Sequence, residues 1–252
     1  MGMGSMKMSV MEVRYIHEEA IHNYKAPEQV LPVVFDIFKP QSIIDVGCGI
    51  GTWLKVAKDL GVKEVLGLDG DYVDRSQLKI ETCEFVEKDL ERPFDLGRKF
   101  DLVICLEVAE HLEASSAADF IASITKHSDV ILFSAALPGQ GGQRHVNEQW
   151  PSYWKELFSH SGFSMTDPIR CQIWDNQAID WWYRQNMFLV IRDGSSLAGK
   201  FALSSAAMIH PVLFDTVRSQ MQAKIDRLEN SLNKLSKRDF IGKIKKLLSS
   251  RK

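Results

Sequence analysis

The sequence predicts an α/β fold in which a doubly wound sheet of seven strands is followed by a C-terminal helical tail. Three observations carry this expectation. Short β-branched runs alternate with helical segments between residues 42 and 192, a glycine-rich turn follows the first of those runs, and strand patterning stops at Gly194. Strands separated by helices imply a parallel sheet covered on both faces. The chain then divides into an N-terminal helical segment (1–40), a sheet domain (41–194) and a helical tail (195–252).

The elements follow in order. Val30, Leu31, Val33, Val34, Phe35, Ile37 and Phe38 mark a buried helix from Pro27 to Lys39, with Pro27 near its start and Pro40 ending it. Strand runs lie at Ser42 to Val46, Glu64 to Leu68, Glu84 to Glu87, Asp101 to Leu106 and Asp129 to Ser134. Helical separators include Thr52 to Leu60 and Ser116 to Lys126, where Ser116 with Asp119 three residues on has the spacing of a helix cap. Trp150 to His160 reads as helix, and Ser164 to Asp167 and Met187 to Arg192 as the last two strands. Beyond Gly194 the chain reads as helix, with Pro211 placed where a helix begins. Met221, Ile225, Leu228, Leu232 and Leu235 alternate spacings of four and three, a short coiled-coil seam compatible with a homodimer. Phe240, Ile241, Ile244, Leu247 and Leu248 share one face of a final helix whose other face carries lysines, which makes it basic and amphipathic.

Composition excludes several classes. In 252 residues, 45% are hydrophobic and 25% charged, the balance of a globular protein rather than a disordered or fibrous one. No apolar run approaches the roughly 18 to 20 residues of a membrane span. The start Met1-Gly2-Met3-Gly4-Ser5-Met6 lacks a hydrophobic signal core and resembles an expression-tag remnant. Cys48, Cys83, Cys105 and Cys171 are scattered without metal-type pairing, so a cytoplasmic location is expected and structural zinc is not. Residues 221–252 carry a net charge of +7 and residues 1–220 one of −9. An acidic body argues against a nucleic-acid partner, and any anionic partner is expected at the tail.

The segment Ile43-Ile44-Asp45-Val46-Gly47-Cys48-Gly49-Ile50-Gly51 is a buried strand entering a glycine-rich turn and then a helix, the place where an open α/β sheet binds a nucleotide-like ligand. Its spacing differs from Gly-x-Gly-x-x-Gly, because Thr52 holds the sixth position, and the chain has no phosphate-loop lysine. NAD and ATP both lose ground. Asp69 ends the second strand, where a carboxylate can accept from both hydroxyls of an adenosine ribose, and Asp89 follows the third.

Together with Phe100-Asp101-Leu102-Val103-Ile104-Cys105-Leu106-Glu107-Val108-Ala109-Glu110-His111-Leu112, these residues resemble the class I methyltransferases that use S-adenosylmethionine (SAM) on a Rossmann-like sheet. The resemblance covers roughly residues 30 to 192. It implies that Asp45, Gly47, Cys48 and Gly49 hold the methionine end of SAM, Asp69 and Gly70 the ribose, and Asp89 and Leu90 the adenine, with Leu106 beside them. A sulfonium methyl is already electrophilic, so the protein has to align an acceptor, exclude water and remove a proton where the acceptor is a hydroxyl. No covalent nucleophile is needed, and Cys48 is expected only as a small turn residue.

On the acceptor side, a helix after the fourth strand would put Glu107, Glu110 and His111 on one face, while His145 comes from the loop after the fifth strand. Glu-x-x-Glu-His with a distant His resembles the Mg²⁺ sites of some members, including small-RNA 2′-hydroxyl methyltransferases. The same residues equally serve a metal-free site in which His145 or His111 is the general base beside Glu107, or a structural role. Two glycines in Gln140-Gly141-Gly142-Gln143-Arg144-His145 suit a lid, and Trp174, Trp181, Trp182 and Tyr183 offer either core packing or stacking on a sugar ring. His17 and His22 are candidates to close over SAM.

His145-Val146-Asn147-Glu148-Gln149-Trp150 and Trp182-Tyr183-Arg184-Gln185-Asn186 make the chain similar to methyltransferases of bacterial surface-polysaccharide and sugar biosynthesis. That likeness implies methyl transfer to a hydroxyl or phosphate-type oxygen of a sugar or glycan. The basic tail would then dock the protein peripherally on the inner membrane face or on a partner protein. Two alternatives stand beside it: methylation of an RNA 2′-hydroxyl or a soluble small molecule, and a non-catalytic SAM-binding scaffold.

Overall fold

The computed structural model describes residues 23–249, with side chains up to residue 234. His17 and His22, and the apolar face from Phe240 to Leu248, lie outside what it describes. In chain order the elements are α1 (Lys25–Ile37), β1 (Ser42–Val46), α2 (Thr52–Asp59), β2 (Glu64–Asp69), β3 (Phe85–Glu87) and β4 (Leu102–Leu106). Next come α3 (Ala117–Ile124), β5 (Val130–Ser134), α4 (Pro151–His160), β6 (Phe163–Thr166), α5 (Arg170–Ile173), α6 (Trp181–Asn186), β7 (Phe188–Arg192) and α7 (Pro211–Ser249). The described chain forms two compact units, one ending at Met208 and one beginning at Ile209. No helix among the described residues is long and apolar enough to cross a membrane.

The seven strands form one Rossmann-like sheet in the order β3-β2-β1-β4-β5-β7-β6. Alternation along each strand divides the core into two layers. Ile43, Val65, Ile104, Leu132 and Leu189 face α1 and α2 through Val30, Leu31, Val34 and Leu54. Ile44, Val103, Ile131, Phe133 and Val190 face α3 and α4 through Phe120, Ile121, Trp154 and Phe158. Each large apolar side chain fully buried in these layers contributes about 1.5–3 kcal/mol relative to exposure.

Three expectations are corrected. The sheet is mixed rather than parallel, because β7 runs antiparallel to both β5 and β6. Its reversal has a positional consequence. The connection from β6 to β7 must cross the carboxyl edge of the sheet, and it carries α5 and α6 there. Ser116 precedes α3, but its side chain makes no capping hydrogen bond; its backbone has already turned helical, so its hydroxyl does not point back at the first amides. Helix after Gly194 begins only at Pro211. Residues 195–210 are turns and extended chain, in which Leu203 bridges Thr166 of β6 and the Ser204 amide donates to the Met165 carbonyl.

His127, buried between α3 and β5, commits both ring nitrogens. Nδ1 lies 2.8 Å from the Ser123 carbonyl and Nε2 accepts from the Leu96 amide at 2.9 Å. This requires the neutral ring with its proton on Nδ1. Burial holds the pKa below the ordinary 6.5. The unfolded chain therefore takes up a proton before the folded one does, and stability should fall as pH drops below about 6.5. Urea unfolding from pH 7.5 down to 5 should show that decline, and His127→Gln should flatten part of it. An unchanged slope in the variant would refute the assignment.

Candidate active site

The strand order reverses between β1 and β4, and in open α/β sheets ligands bind beyond the carboxyl ends at such a switch point. A cavity of about 970 Å³ lies there. It sits at the upper end of the roughly 300–1,000 Å³ typical of ligand pockets, with room for a cofactor and an acceptor together.

At the β1 side, Gly47 and Cys48 donate backbone amides to the Leu68 carbonyl at 2.7 and 3.1 Å, folding the turn onto the end of β2. Gly47 has φ +84°, and a Cβ there would lie 2.3 Å from Cγ2 of Val108, so only glycine lets the turns after β1 and β4 meet. Asp69 is buried and accepts from the Gly49 amide at 2.7 Å and from its neighbour Gly70 at 2.7 Å. A carboxylate has roughly four acceptor positions, so Asp69 retains capacity for a ligand's hydroxyls. Burial, and then Asp69, push the Asp45 carboxyl well above the usual range. The Cys48 thiol is pushed up by burial first and by Asp45 and Asp69 after it, leaving a small inert side chain in the turn.

Of the residues read from the sequence, Asp45, Gly47, Cys48, Asp69, Gly70, Asp89, Leu90 and Leu106 all line the cavity, as do Glu107, His111 and His145. Gly49 and Glu110 do not. The Gly49 amide is turned toward Asp69, and Glu110 is fully buried behind the wall. Asp71 and Tyr72 line the cavity without having been singled out from sequence. Trp181, Trp182 and Tyr183 form part of its wall, half-buried, with Tyr183 set edge-on to Trp53 at 5.4 Å. Trp174 is not part of that wall.

The helix expected after β4 does not form. Glu107 takes a left-handed backbone conformation (φ +54°), and only a single tight turn at Ala109–His111 follows. Glu107 therefore does not share a face with Glu110 and His111. Its amide donates to the Ser134 carbonyl at 3.0 Å, and its carboxylate accepts from Asn186 at 3.1 Å and from Gln140 at 2.9 Å. A non-glycine residue in this conformation is strained by about 1–3 kcal/mol, and these bonds hold it there. Asn186 went unread because its role depends on the reversal of β7.

Glu110, His111 and His145 do come together, with one ligand-type atom from each within 4.8 Å of the others. The two imidazoles meet edge to face at 4.8 Å. The Glu110 carboxyl lies among its own amide, the Ala136 amide and the Glu107 carboxyl without a well-formed hydrogen bond to any of them. Burial, and next the Glu107 carboxylate, raise its pKa well above the usual range. His111 is pushed down to about 4 by burial and then by His145, so it is a neutral ring. Two imidazoles and a buried carboxyl whose oxygens lack a well-formed hydrogen bond make a donor set that fits a divalent cation.

His145 is placed by Glu148, whose Oε1 lies 2.9 Å from Nδ1. The same carboxylate accepts from the Gly141 amide at 2.7 Å and, through Oε2, from the Gly139 amide at 2.7 Å. Because a carboxylate only accepts, Nδ1 carries a proton toward Glu148, and Nε2 is the ring nitrogen left to face away from it. A Cβ on Gly142 would lie 2.2 Å from that Nε2, so glycine is required for the loop to pass. The spacing of Glu148 three residues after His145 was the sequence signal for this pairing, and it went unused.

The family of methyltransferase domains matches residues 16–192, and the chain belongs to it. Among curated proteins it is similar to the mitochondrial ubiquinone biosynthesis O-methyltransferase of Dictyostelium discoideum, at 23% identity over 68% of this chain and 56% of that one. It is also similar to the ribosomal RNA large subunit methyltransferase E of Methanocella arvoryzae, at 28% identity over 52% of this chain and 53% of that one. The chain thus spans about half the length of the curated relatives it matches. Among solved structures, the sugar N-methyltransferase KedS8 from Streptoalloteichus sp. ATCC 53650 shares the fold at a TM-score of 0.55 and 16% identity, over 76% of this chain and 98% of that one.

Glu148→Ala should release the loop. The Gly139 and Gly141 amides should exchange with solvent faster by about ten-fold or more, since each loses a charge-assisted hydrogen bond. Hydrogen-exchange mass spectrometry or NMR would measure this, and unchanged protection would contradict the clamp.

Proposed function

We propose that this protein transfers the methyl group of SAM to an oxygen of a sugar or glycan. One observation carries the reading. A single cavity runs from the acidic positions after β2 and β3, past the glycine turn, to a histidine–carboxylate pair under a polar loop and beside an aromatic wall.

At the cofactor end, Asp69 and Asp89 suit the ribose hydroxyls and the adenine amino group, and Asp45 beside the Gly47–Cys48 turn suits the methionine end. Beyond the methyl group, the Glu107–Gln140–Asn186 network and the amides and side chains of residues 140–145 offer several donors and acceptors to a polyhydroxylated acceptor. Trp181 to Tyr183 provide faces for a sugar ring. His145 Nε2 receives the acceptor hydroxyl's proton as the oxygen attacks the methyl carbon in line with the departing sulfur. Glu148 holds the ring in that tautomer and stabilises the imidazolium that forms.

A second reading rests on the Glu110–His111–His145 cluster, which would hold a divalent cation such as Mg²⁺. Such an ion supplies Lewis acidity that lowers the pKa of an acceptor hydroxyl. The net negative charge of the body favours a sugar over an RNA acceptor, and the aromatic wall also accommodates a soluble small molecule. A cytoplasmic enzyme working at the inner membrane face is the setting that a glycan acceptor implies.

Asp69→Ala should weaken SAM binding by on the order of 100-fold, the loss of hydrogen bonds to a buried charge. His145→Ala should leave SAM affinity intact and lower turnover by roughly 100- to 10,000-fold. Calorimetry and a methyl-transfer assay would measure the two. Full activity in the second variant would remove both the base and the metal reading.

Methyl-labelled SAM, incubated with the protein and with lipid-linked, nucleotide-sugar and RNA fractions of a cell extract, tests the acceptor. Label in the sugar-containing fractions supports the proposal, and its loss with chelator supports the cation. Label confined to RNA or to amines rejects the glycan assignment, and no transfer to any fraction favours a SAM-binding scaffold.

A further inference from the structure

The α7 helix runs from Pro211 to Ser249, and on its described part an apolar stripe faces solvent. Phe214, Met221, Ile225, Leu228 and Leu232 are each about half exposed or more, with Leu232 at 65%. Isolated exposed apolar residues are ordinary, but a file of them along one side of a long helix leaves its seam uncovered.

The stripe has heptad order. With Ile225 and Leu232 at a, the d positions are Phe214, Met221 and Leu228, and Arg218 and the helix-starting Pro211 fall at the remaining a positions. The flanking g positions are Val217, Lys224 and Ser231, and the e positions are Asp215, Gln222 and Glu229. The seam is therefore narrow and bordered mostly by polar groups. Residues 211–234 carry four basic and three acidic side chains of mixed order. A wide apolar face with strong positive charge, as suits an anionic lipid surface, is not what this stretch presents.

We propose that α7 pairs with the α7 of a second copy of this chain as a parallel, in-register two-stranded coiled coil. Charge selects the orientation. In a parallel pair each g residue meets the e residue five positions on in the partner, which sets Lys224 opposite Glu229 twice by symmetry. In an antiparallel pair g meets g and e meets e, and none of the described g or e residues then finds an opposite charge. The number of strands follows from side-chain type. Ile225 at a followed by Leu228 at d favours two strands, and a single charged residue at a, Arg218, pins the register at some cost in stability. Arg218 remains paired to Asp215 of its own helix at 3.1 Å, which keeps its head in solvent at the seam's edge.

The test uses the full chain in sedimentation equilibrium. A reversible species of twice the 28.6 kDa chain mass is expected at micromolar concentration. Leu228→Asp should abolish it while circular dichroism of the sheet domain is unchanged. Lys224→Glu should weaken dimerisation by roughly several-fold through two mismatched pairs, and adding Glu229→Lys should restore it. Leu228→Cys should cross-link to itself under mild oxidation well above the background from Cys83 and Cys171 in the parent chain.

A monomeric parent, a trimer, or a dimer indifferent to Leu228→Asp would overturn the proposal. So would equal weakening by the single and the double charge variants, which would remove the parallel pairing. Vesicles of anionic phospholipid provide the remaining arm. Binding by a monomer that is lost in Leu228→Asp would assign the stripe to a lipid surface instead.

Discussion

The contact between Gly47 and Val108 is the constraint on which the site depends. β1 and β4 are adjacent strands whose chains turn away at the same edge, and a side chain of any size at position 47 would force the two turns apart. Because they meet, Gly47 and Cys48 of the β1 turn, the Asp69 carboxylate and the strained Glu107 all border one cavity. The core layers supply the rigidity this requires. Strands covered on both faces by close-packed side chains cannot shift to relieve a strained residue at their ends.

Ionisable groups at the site are sorted by depth. Asp45 and Glu110 are buried and have raised pKa values, His111 is held neutral, and Glu148 gathers the Gly139 and Gly141 amides and His145. The result is a row of neutral or acceptor-only groups beneath a loop whose shape is set by one carboxylate. Gly142 gives that loop room beside His145, Gly139 and Gly141 let it take left-handed backbone conformations, and Glu148 removes the freedom they would otherwise leave.

The second unit follows a different logic. Its described helix has no sheet to lie on within its own unit, its apolar file is exposed, and Lys224 and Glu229 flank that file with opposite charges at g and e spacing.

Local chemistry was legible in the sequence by itself: the seven strands, the glycine turn, Asp69 and Asp89 at strand ends, and the family resemblance that these residues carry. Each of those depends on periodicity or on a short run of residues, and neither requires knowing what lies across the sheet. Tertiary structure alone decided the direction of β7, the left-handed turn at Glu107 in place of a helix, and the pairing of Glu107 with Asn186. Strand direction depends on the path of the preceding connection, and strained backbone persists only where distant groups hold it. Glu107 and Asn186 are 79 residues apart, so no local window contains both.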